Sequence, residues 1–326
     1  MNQLYKFFFY SMLMFSTLIT ISSYSWFGMW IGLEINLLSI IPLMNNNKNL
    51  LTNESSIKYF LVQSIASMIF LLIIIIALSN KFNSIMIMMM NFSMIMKMGA
   101  APFHFWFPMV MEGLNWNNSL ILLTWQKINP MIILMNKLNW NFLTLIIFSS
   151  LMISGLMGIN QISIRKMLSY SSINHMAWMI SAIFINEMSW LIYFTIYSLN
   201  NFWLILIFKK MKCLYFNQLF LLMNKSWQTK LFFLMNFFSL GGLPPFIGFF
   251  PKWLVLSNLI NQNLVFLSLI LIMTTILTLH FYLQITLKTM ILNSEEIKFF
   301  NQNPSYSMFM NKFFILALFL CPVWLT

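Results

Sequence analysis

Four ionisable side chains stand inside or beside long apolar runs. Glu34 lies in "GMWIGLEINLLSIIP", Lys97 in "MIMKMGAAP", Lys127 in "LLTWQKINPMIIL" and Lys252 in "FFPKWLVL". A histidine joins them: His175, in "SYSSINHMAWM", has Ser171, Ser172 and Asn174 beside it. A charge at the centre of a membrane helix costs roughly 2.5–3.5 kcal/mol, so four cost on the order of 10 kcal/mol, a sum usually offset by pairing or hydration. The chemistry open to such groups is proton transfer. Desolvation favours the neutral form of a buried lysine and a nearby glutamate favours the charged form, so moving the glutamate makes the lysine release or take up a proton. Arginine stays protonated and cannot do this; the single arginine, Arg165, is expected in a loop. Histidine titrates near neutral pH. Plainer readings stand beside each. Lys97 and Lys252 could snorkel to an interface. Glu34 and Lys127 could form a static ion pair, and His175 could be a hydrogen-bonded packing residue.

These residues need a membrane scaffold, and the composition supplies one. The 326 residues are 60% hydrophobic and only 7% charged, against about 25% charged in soluble chains. Mean hydropathy is +0.81. A span needs about 20 apolar residues. Spans are expected near 4–22, 25–44, 57–79, 84–111 (interrupted), 118–137, 141–160, 167–185, 188–208, 230–260 (interrupted), 264–288 and 309–325. The N-terminal run reads as a first membrane helix rather than a signal peptide, because it is long and lacks a small-residue cleavage site. The expectation is an all-α, polytopic bundle of about 10–12 helices forming one transmembrane domain over 1–326, with broken-helix regions at 84–111 and 230–260.

The two interrupted spans resemble each other. "GAAPFHFWFP" at 99–108 and "GLPPFIGFFP" at 242–251 share Gly99/Gly242, Pro102/Pro245, Phe103/Phe246 and Pro108/Pro251, at an offset of 143 residues. Discontinuous helices at matching positions of two halves are the best sequence pointer to a transport site. Proline removes a backbone N–H and frees a carbonyl. At membrane depth such groups must face protein or a water-filled cavity. Lys97 just before one break and Lys252 just after the other therefore point to internal water.

Other functions are excluded or unsupported. The net charge of +12 reflects few acids rather than a basic face; there is no aspartate, and Glu54, Glu112, Glu187, Glu295 and Glu296 fall at expected loops or span ends. Scattered lysines do not make a nucleic-acid surface. The cluster Lys209, Lys210 and Lys212 reads as a positive-inside loop or an anionic-lipid contact. Two cysteines, Cys213 and Cys321, cannot hold a four-cysteine cluster. His104, His175 and His280 cannot supply the paired ligands of a multi-haem bundle. No phosphate-binding glycine loop or dinucleotide fingerprint is present; Gly155 and Gly158 read as helix-packing glycines. The chain shows no redox chemistry of its own, and its Phe-, Ile-, Met-, Asn- and Lys-rich usage hints at an AT-rich organelle genome.

Taken together, "MKMGAAPFHFWFPMVMEGLNW" (96–116), "LTWQKINP" (123–130), "GINQISIRKMLSYSSINHMAW" (158–178) and "GGLPPFIGFFPKW" (241–253) resemble subunit 2 of mitochondrial NADH:ubiquinone oxidoreductase, respiratory complex I. The likeness runs in order from about residue 25 to 255. It implies an antiporter-like membrane-arm subunit built from two inverted repeats, each with a discontinuous helix. It places the family's intramembrane glutamate on Glu34, its lysines on Lys97, Lys127 and Lys252, and its central histidine on His175. Some relatives carry a polar or acidic residue where this chain has Met109.

The function this resemblance implies is proton translocation through Glu34, Lys97, Lys127, His175 and Lys252, coupled to quinone reduction elsewhere in the complex. It implies no cofactor or metal in this chain, with NADH, FMN, iron–sulfur clusters and ubiquinone in other subunits. The implied partners are other membrane-arm subunits and lipids, cardiolipin the candidate among them, with no nucleic acid; the implied location is the mitochondrial inner membrane. Two alternatives remain. A stand-alone cation/proton antiporter commonly binds its cation with aspartates, which are missing here. A passive scaffold predicts that neutralising the buried charges changes nothing.

Overall fold

The computed structural model describes residues 3–45, 49–79, 83–223, 227–244 and 246–291. Pro245, Glu295, Glu296, Cys321 and the span expected at 309–325 lie outside the described residues. Among the described residues all regular secondary structure is helical, and one isolated antiparallel bridge joins Ser163 and Tyr215. Helices are the physical solution for an apolar chain, because each satisfies its own backbone without water.

The helices are α1 (Gln3–Ser22), α2 (Trp26–Met44), α3 (Leu50–Ser79), α4 (Ser84–Met98), α5 (Trp106–Gly113), α6 (Trp116–Leu123), α7 (Trp125–Asn136), α8 (Trp140–Ile159), α9 (Ile164–Ile183), α10 (Glu187–Met211), α11 (Phe216–Met223), α12 (Trp227–Gly241), α13 (Phe249–Asn261) and α14 (Val265–Ile291). Among the described residues, six are long and apolar enough to cross a membrane: α1, α2, α3, α8, α10 and α14. Three further stretches are pairs of short helices meeting at a break: α4–α5, α6–α7 and α12–α13.

The chain divides into two compact units, Met1–Ser150 and Leu151–Thr326. In the first, α2 packs on α1 and α3, and α3 packs on α4 and α5. Gly32 lets α1 and α2 approach so closely that a Cβ would collide with the Thr20 side chain. In the second, α9 is buried almost around its whole circumference, as expected of a helix at the centre of a bundle. It is flanked by α10, α13 and α14. Gly155 and Gly158 are packing glycines: a Cβ on either would sit 3.1 Å from Leu277 or Phe281 of α14.

The breaks at α4–α5 and α12–α13 share one backbone design. Gly99 and Gly242 are left-handed, with φ of 71° and 76°, a conformation that glycine adopts without a Cβ clash. The Gly99 N–H donates to the Ile95 and Met96 carbonyls, and Ala100 N–H to Ile95. At the second break, Gly242 N–H donates to Phe238 and Ser239, and Leu243 N–H to Phe238. Beyond each cap a further turn repeats in register, Phe107 N–H to the His104 carbonyl and Phe250 N–H to the Ile247 carbonyl.

The structure corrects the sequence reading in several places. The stretch 118–137 is not one helix: it breaks at Thr124, whose φ of −115° and ψ of −73° leave the helical path. The break is upheld by local bonds, Thr124 N–H and Oγ1 to the Leu120 carbonyl and Lys127 N–H to the Thr124 carbonyl. Helix α3 begins at Leu50, seven residues ahead of 57, because "LLTNES" carries helix-capable residues and an i,i+4 ion pair between Glu54 and Lys58, 2.6 Å apart. Arg165 is in the first turn of α9, not a loop. Lys209 and Lys210 are in the last turn of α10 and Lys212 is its left-handed cap, where cations complement the helix dipole. The polar break around "KKMKCLYFNQ" contains the start of α11.

Candidate functional site

In the first unit, Lys97 occupies the last turn of α4, where exposed C-terminal carbonyls favour a cation. It is only 6% exposed, so it does not snorkel. It lines a cavity of about 10 Å³ together with Asn36 of α2, Tyr59 and Gln63 of α3 and Gln126 of α7. That is room for one water. Glu34, one turn of α2 from Leu37, is half-buried; its Oε1 is buried and makes no hydrogen bond. The Glu34 carboxylate and the Lys97 ammonium interact electrostatically. The freed Lys97 carbonyl accepts a bond from Gln63 Nε2 at 2.9 Å.

A hydrogen-bonded chain crosses this site. The Tyr59 hydroxyl donates to Gln126 Oε1 at 3.1 Å, and Gln126 Nε2 donates to Asn36 Oδ1 at 2.7 Å. Gln126 is the neighbour of Lys127. Lys127 sits in the first turn of α7 just past the Thr124 break, rather than in the middle of a continuous helix, and is 2% exposed. Its Nζ lies 5.7 Å from the centroid of the Phe107 ring, within cation–π range. Pro130 follows within α7 and denies the Gln126 carbonyl its usual helical donor.

In the second unit, Lys252 is 6% exposed and lies at the start of α13. Its Nζ donates to the Gly241 carbonyl at 2.7 Å and to the Leu240 carbonyl at 3.5 Å. It also stands 5.7 Å from the Trp178 ring of α9. Trp178 stacks on Tyr193 of α10, and the Tyr193 oxygen is 2.9 Å from His175 Nδ1. Lys252 and His175 are thus joined through two aromatic side chains. The Ser171 and Ser172 hydroxyls bond back to the α9 carbonyls of Leu168 and Ser169. Asn174 Nδ2 reaches Thr278 of α14 at 3.4 Å.

The structure therefore sets Lys97 and Gln126 on one cavity, with Lys127 next to Gln126 in the chain, and links His175 to Lys252 through Tyr193 and Trp178, while Glu34 acts on Lys97 through its charge. His104 meets the Pro102 carbonyl and the Phe105 ring in the α4–α5 break, and His280 is an exposed residue of α14. Four further participants carry a sequence signal of their own: Asn36, Tyr59, Gln63 and Gln126 are polar groups in apolar helices, and such groups need partners. Lys230 is another buried lysine; its Nζ meets the Met290 carbonyl in the last turn of α14 at 3.4 Å. Among the described residues, no group of three or more His, Cys, Asp or Glu is placed to hold a metal ion.

The sequence profile of the NADH:quinone oxidoreductase/Mrp antiporter transmembrane family matches residues 23–278, a range that contains all five candidate residues. NADH-ubiquinone oxidoreductase chain 2 of Anopheles gambiae is 50% identical over 295 residues, covering 87% of this chain and 86% of that one. The chain belongs to the NADH-ubiquinone oxidoreductase chain 2 family. Further chain 2 proteins are similar at greater distance: 46% identity in Aedes aegypti, covering 92% and 89% of the two chains, and 36% in Bos taurus, covering 85% and 83%. The fold matches a chain in the structure of respiratory complex I from Thermus thermophilus, with a TM-score of 0.86 at 22% identity over 99% of this chain and 79% of that one. It also matches a chain of an archaeal membrane-bound sulfane sulfur reductase, with a TM-score of 0.80 at 13% identity over 97% and 72%. The all-α polytopic fold read from the sequence is the fold of this chain 2 family member, a multi-pass membrane protein.

Proposed function

We propose that the chain is a proton-translocating subunit of the membrane arm of NADH:ubiquinone oxidoreductase in the mitochondrial inner membrane. Glu34, Lys97, Lys127, His175 and Lys252 are its protonatable groups. NADH, FMN, iron–sulfur clusters and ubiquinone belong to other subunits, which drive this one. Other membrane-arm subunits and lipids, cardiolipin included, surround it.

One observation carries this reading. Among the described residues, each of the three breaks where two short helices meet holds a buried lysine: Lys97 at α4–α5, Lys127 at α6–α7 and Lys252 at α12–α13. Ordinary packing does not put a lysine at every break in an apolar bundle, since each costs roughly 2.5–3.5 kcal/mol. A lysine beside freed backbone groups changes its protonation balance when a small rearrangement alters its burial, its charged neighbours or its hydrogen bonds. Moving one charge against 100 mV takes about 2.3 kcal/mol. A pKa change of one unit supplies about 1.4 kcal/mol, so a change of two units is enough to drive such a step.

The decisive experiment is Lys127→Met in the assembled complex, with NADH-driven proton uptake measured in vesicles. A positioned proton-transfer group contributes about a hundredfold or more to its step, so pumping should fall to background while the complex still assembles on a native gel. Undiminished pumping would falsify the role of Lys127 and favour a passive scaffold.

A further inference from the structure

The chain Tyr59–Gln126–Asn36 has a property that its two bond lengths do not reveal. Every member can both donate and accept: a phenol has one O–H and two lone pairs, and a primary amide has two N–H donors and a carbonyl. The observed direction runs Tyr59 to Gln126 to Asn36. With the same heavy-atom positions the chain can run the other way. Asn36 Nδ2 then donates to Gln126 Oε1, Gln126 Nε2 donates to Tyr59 Oη, and the two amides have turned over.

The two directions present opposite faces to the cavity that Tyr59, Asn36 and Gln126 share with Lys97. In the observed direction the Tyr59 proton is committed to Gln126, so Tyr59 offers the cavity a lone pair. That suits a water carrying a bond from a charged lysine. In the reversed direction Tyr59 points its O–H into the cavity. That suits a water bonded to the lone pair of a neutral lysine. The cavity, at about 10 Å³, fits the single water this requires.

We propose that Tyr59, Gln126 and Asn36 form a reversible polarity relay, with one water in the cavity, that reports the protonation state of Lys97 to the first turn of α7. No proton travels along the amides; only the direction of the bonds changes. The three are positioning residues, acting through Lys97 and through the Gln126–Lys127 step of the backbone. The inference rests on the proposed role of Lys97 and Lys127 as proton carriers.

Two variants of the whole complex test it. Tyr59→Phe removes the hydroxyl that faces the cavity. Asn36→Asp keeps the acceptor that Gln126 now uses, but a carboxylate cannot donate, so the chain is locked in its observed direction. Net hydrogen bonds of this kind correspond to about threefold to tenfold in a rate. NADH-driven proton uptake should fall by about that factor in each variant, while NADH oxidation with an artificial electron acceptor stays unchanged. A network that merely ties α2, α3 and α7 together keeps its Gln126–residue 36 bond in Asn36→Asp, so full pumping in that variant overturns the proposal. Full pumping in Tyr59→Phe overturns it too. Should the Tyr59→Phe complex not assemble, Asn36→Asp decides alone. Lys127→Met, run in parallel, separates the two levels. If it pumps normally, the proton-carrier reading itself has failed. If it is inactive while the relay variants pump, only the relay is lost.

Discussion

At the scale of single residues, the lysines show how burial is made tolerable without a carboxylate for each. Lys97 has Glu34, Lys127 has an aromatic face, and Lys252 has two backbone carbonyls and Trp178. Their positions were legible in the sequence because a cation in an apolar run is conspicuous. The partners of Lys127 and Lys252 were not, because backbone carbonyls and ring faces leave no mark in a residue pattern. Cys213 offers a test at this scale outside the helices. It follows α10, is buried, and its Sγ lies 3.6 Å from the Met211 carbonyl. Burial pushes its thiol up from 9.0 to about 11. The thiolate is the reactive form, and a rise of two units leaves about a hundredfold less of it at neutral pH. Maleimide labelling of native Cys213 should therefore still climb about tenfold per pH unit between pH 9 and 10. Labelling that levels off above pH 9 would show an ordinary exposed thiol instead.

At the scale of elements, the breaks carry the design, and they divide into two kinds. The α4–α5 and α12–α13 breaks are marked by glycine and proline, so the sequence announces them. The Thr124 break has neither glycine nor proline at its centre; it is held by a threonine hydroxyl bonding back to Leu120 and so leaves no helix-breaker mark in the sequence. The glycines differ in what they permit. A Cβ on Gly99 would sit 3.0 Å from Phe107 Cβ in a backbone that already disfavours side chains, whereas a Cβ on Gly248 would collide with the Ser239 carbonyl oxygen, a backbone atom that cannot swing aside. Gly99→Ala should cost about 1–2 kcal/mol through its left-handed backbone. Gly248→Ala should cost more, because the end of α12 must move. Thermal inactivation of the assembled complex should rank Gly248→Ala below Gly99→Ala, and equal stabilities would contradict this packing.

At the scale of the whole molecule, the apolar surface is extensive. Phe7, Phe15 and Leu18 of α1 and Leu61, Met68, Leu72 and Ile75 of α3 are exposed, which in a membrane means contact with lipid tails or neighbouring helices. The long helices satisfy their backbones internally, and the breaks do not do so throughout. Hydrogen exchange should therefore be slow along α3, α9 and α14 and faster at Phe103–Phe105 and at Ile247 and Gly248. Uniform protection across both breaks would count against their being the mobile points of the bundle. The helical type and the long spans were readable here from apolar run length alone, and the helix number was not, because 118–137 breaks at Thr124 and a short helix, α11, follows α10. The division at Ser150 was not, because it falls inside α8, an unbroken apolar helix with no linker composition to betray it.

The two glycine-capped breaks also differ in what fastens them. Leu240 stands 143 residues after Lys97, and their carbonyls occupy the same place in the same cap. In the first unit that carbonyl is held by a neutral amide, Gln63, while the charge belongs to Lys97. In the second unit one ammonium, Lys252, does both jobs. Charge-assisted bonds are roughly twice as strong as neutral ones, so under the proposed function a proton leaving Lys252 would also loosen the clasp between α12 and α13. Chemistry and mechanics are separable by substitution in one unit and fused in a single nitrogen atom in the other.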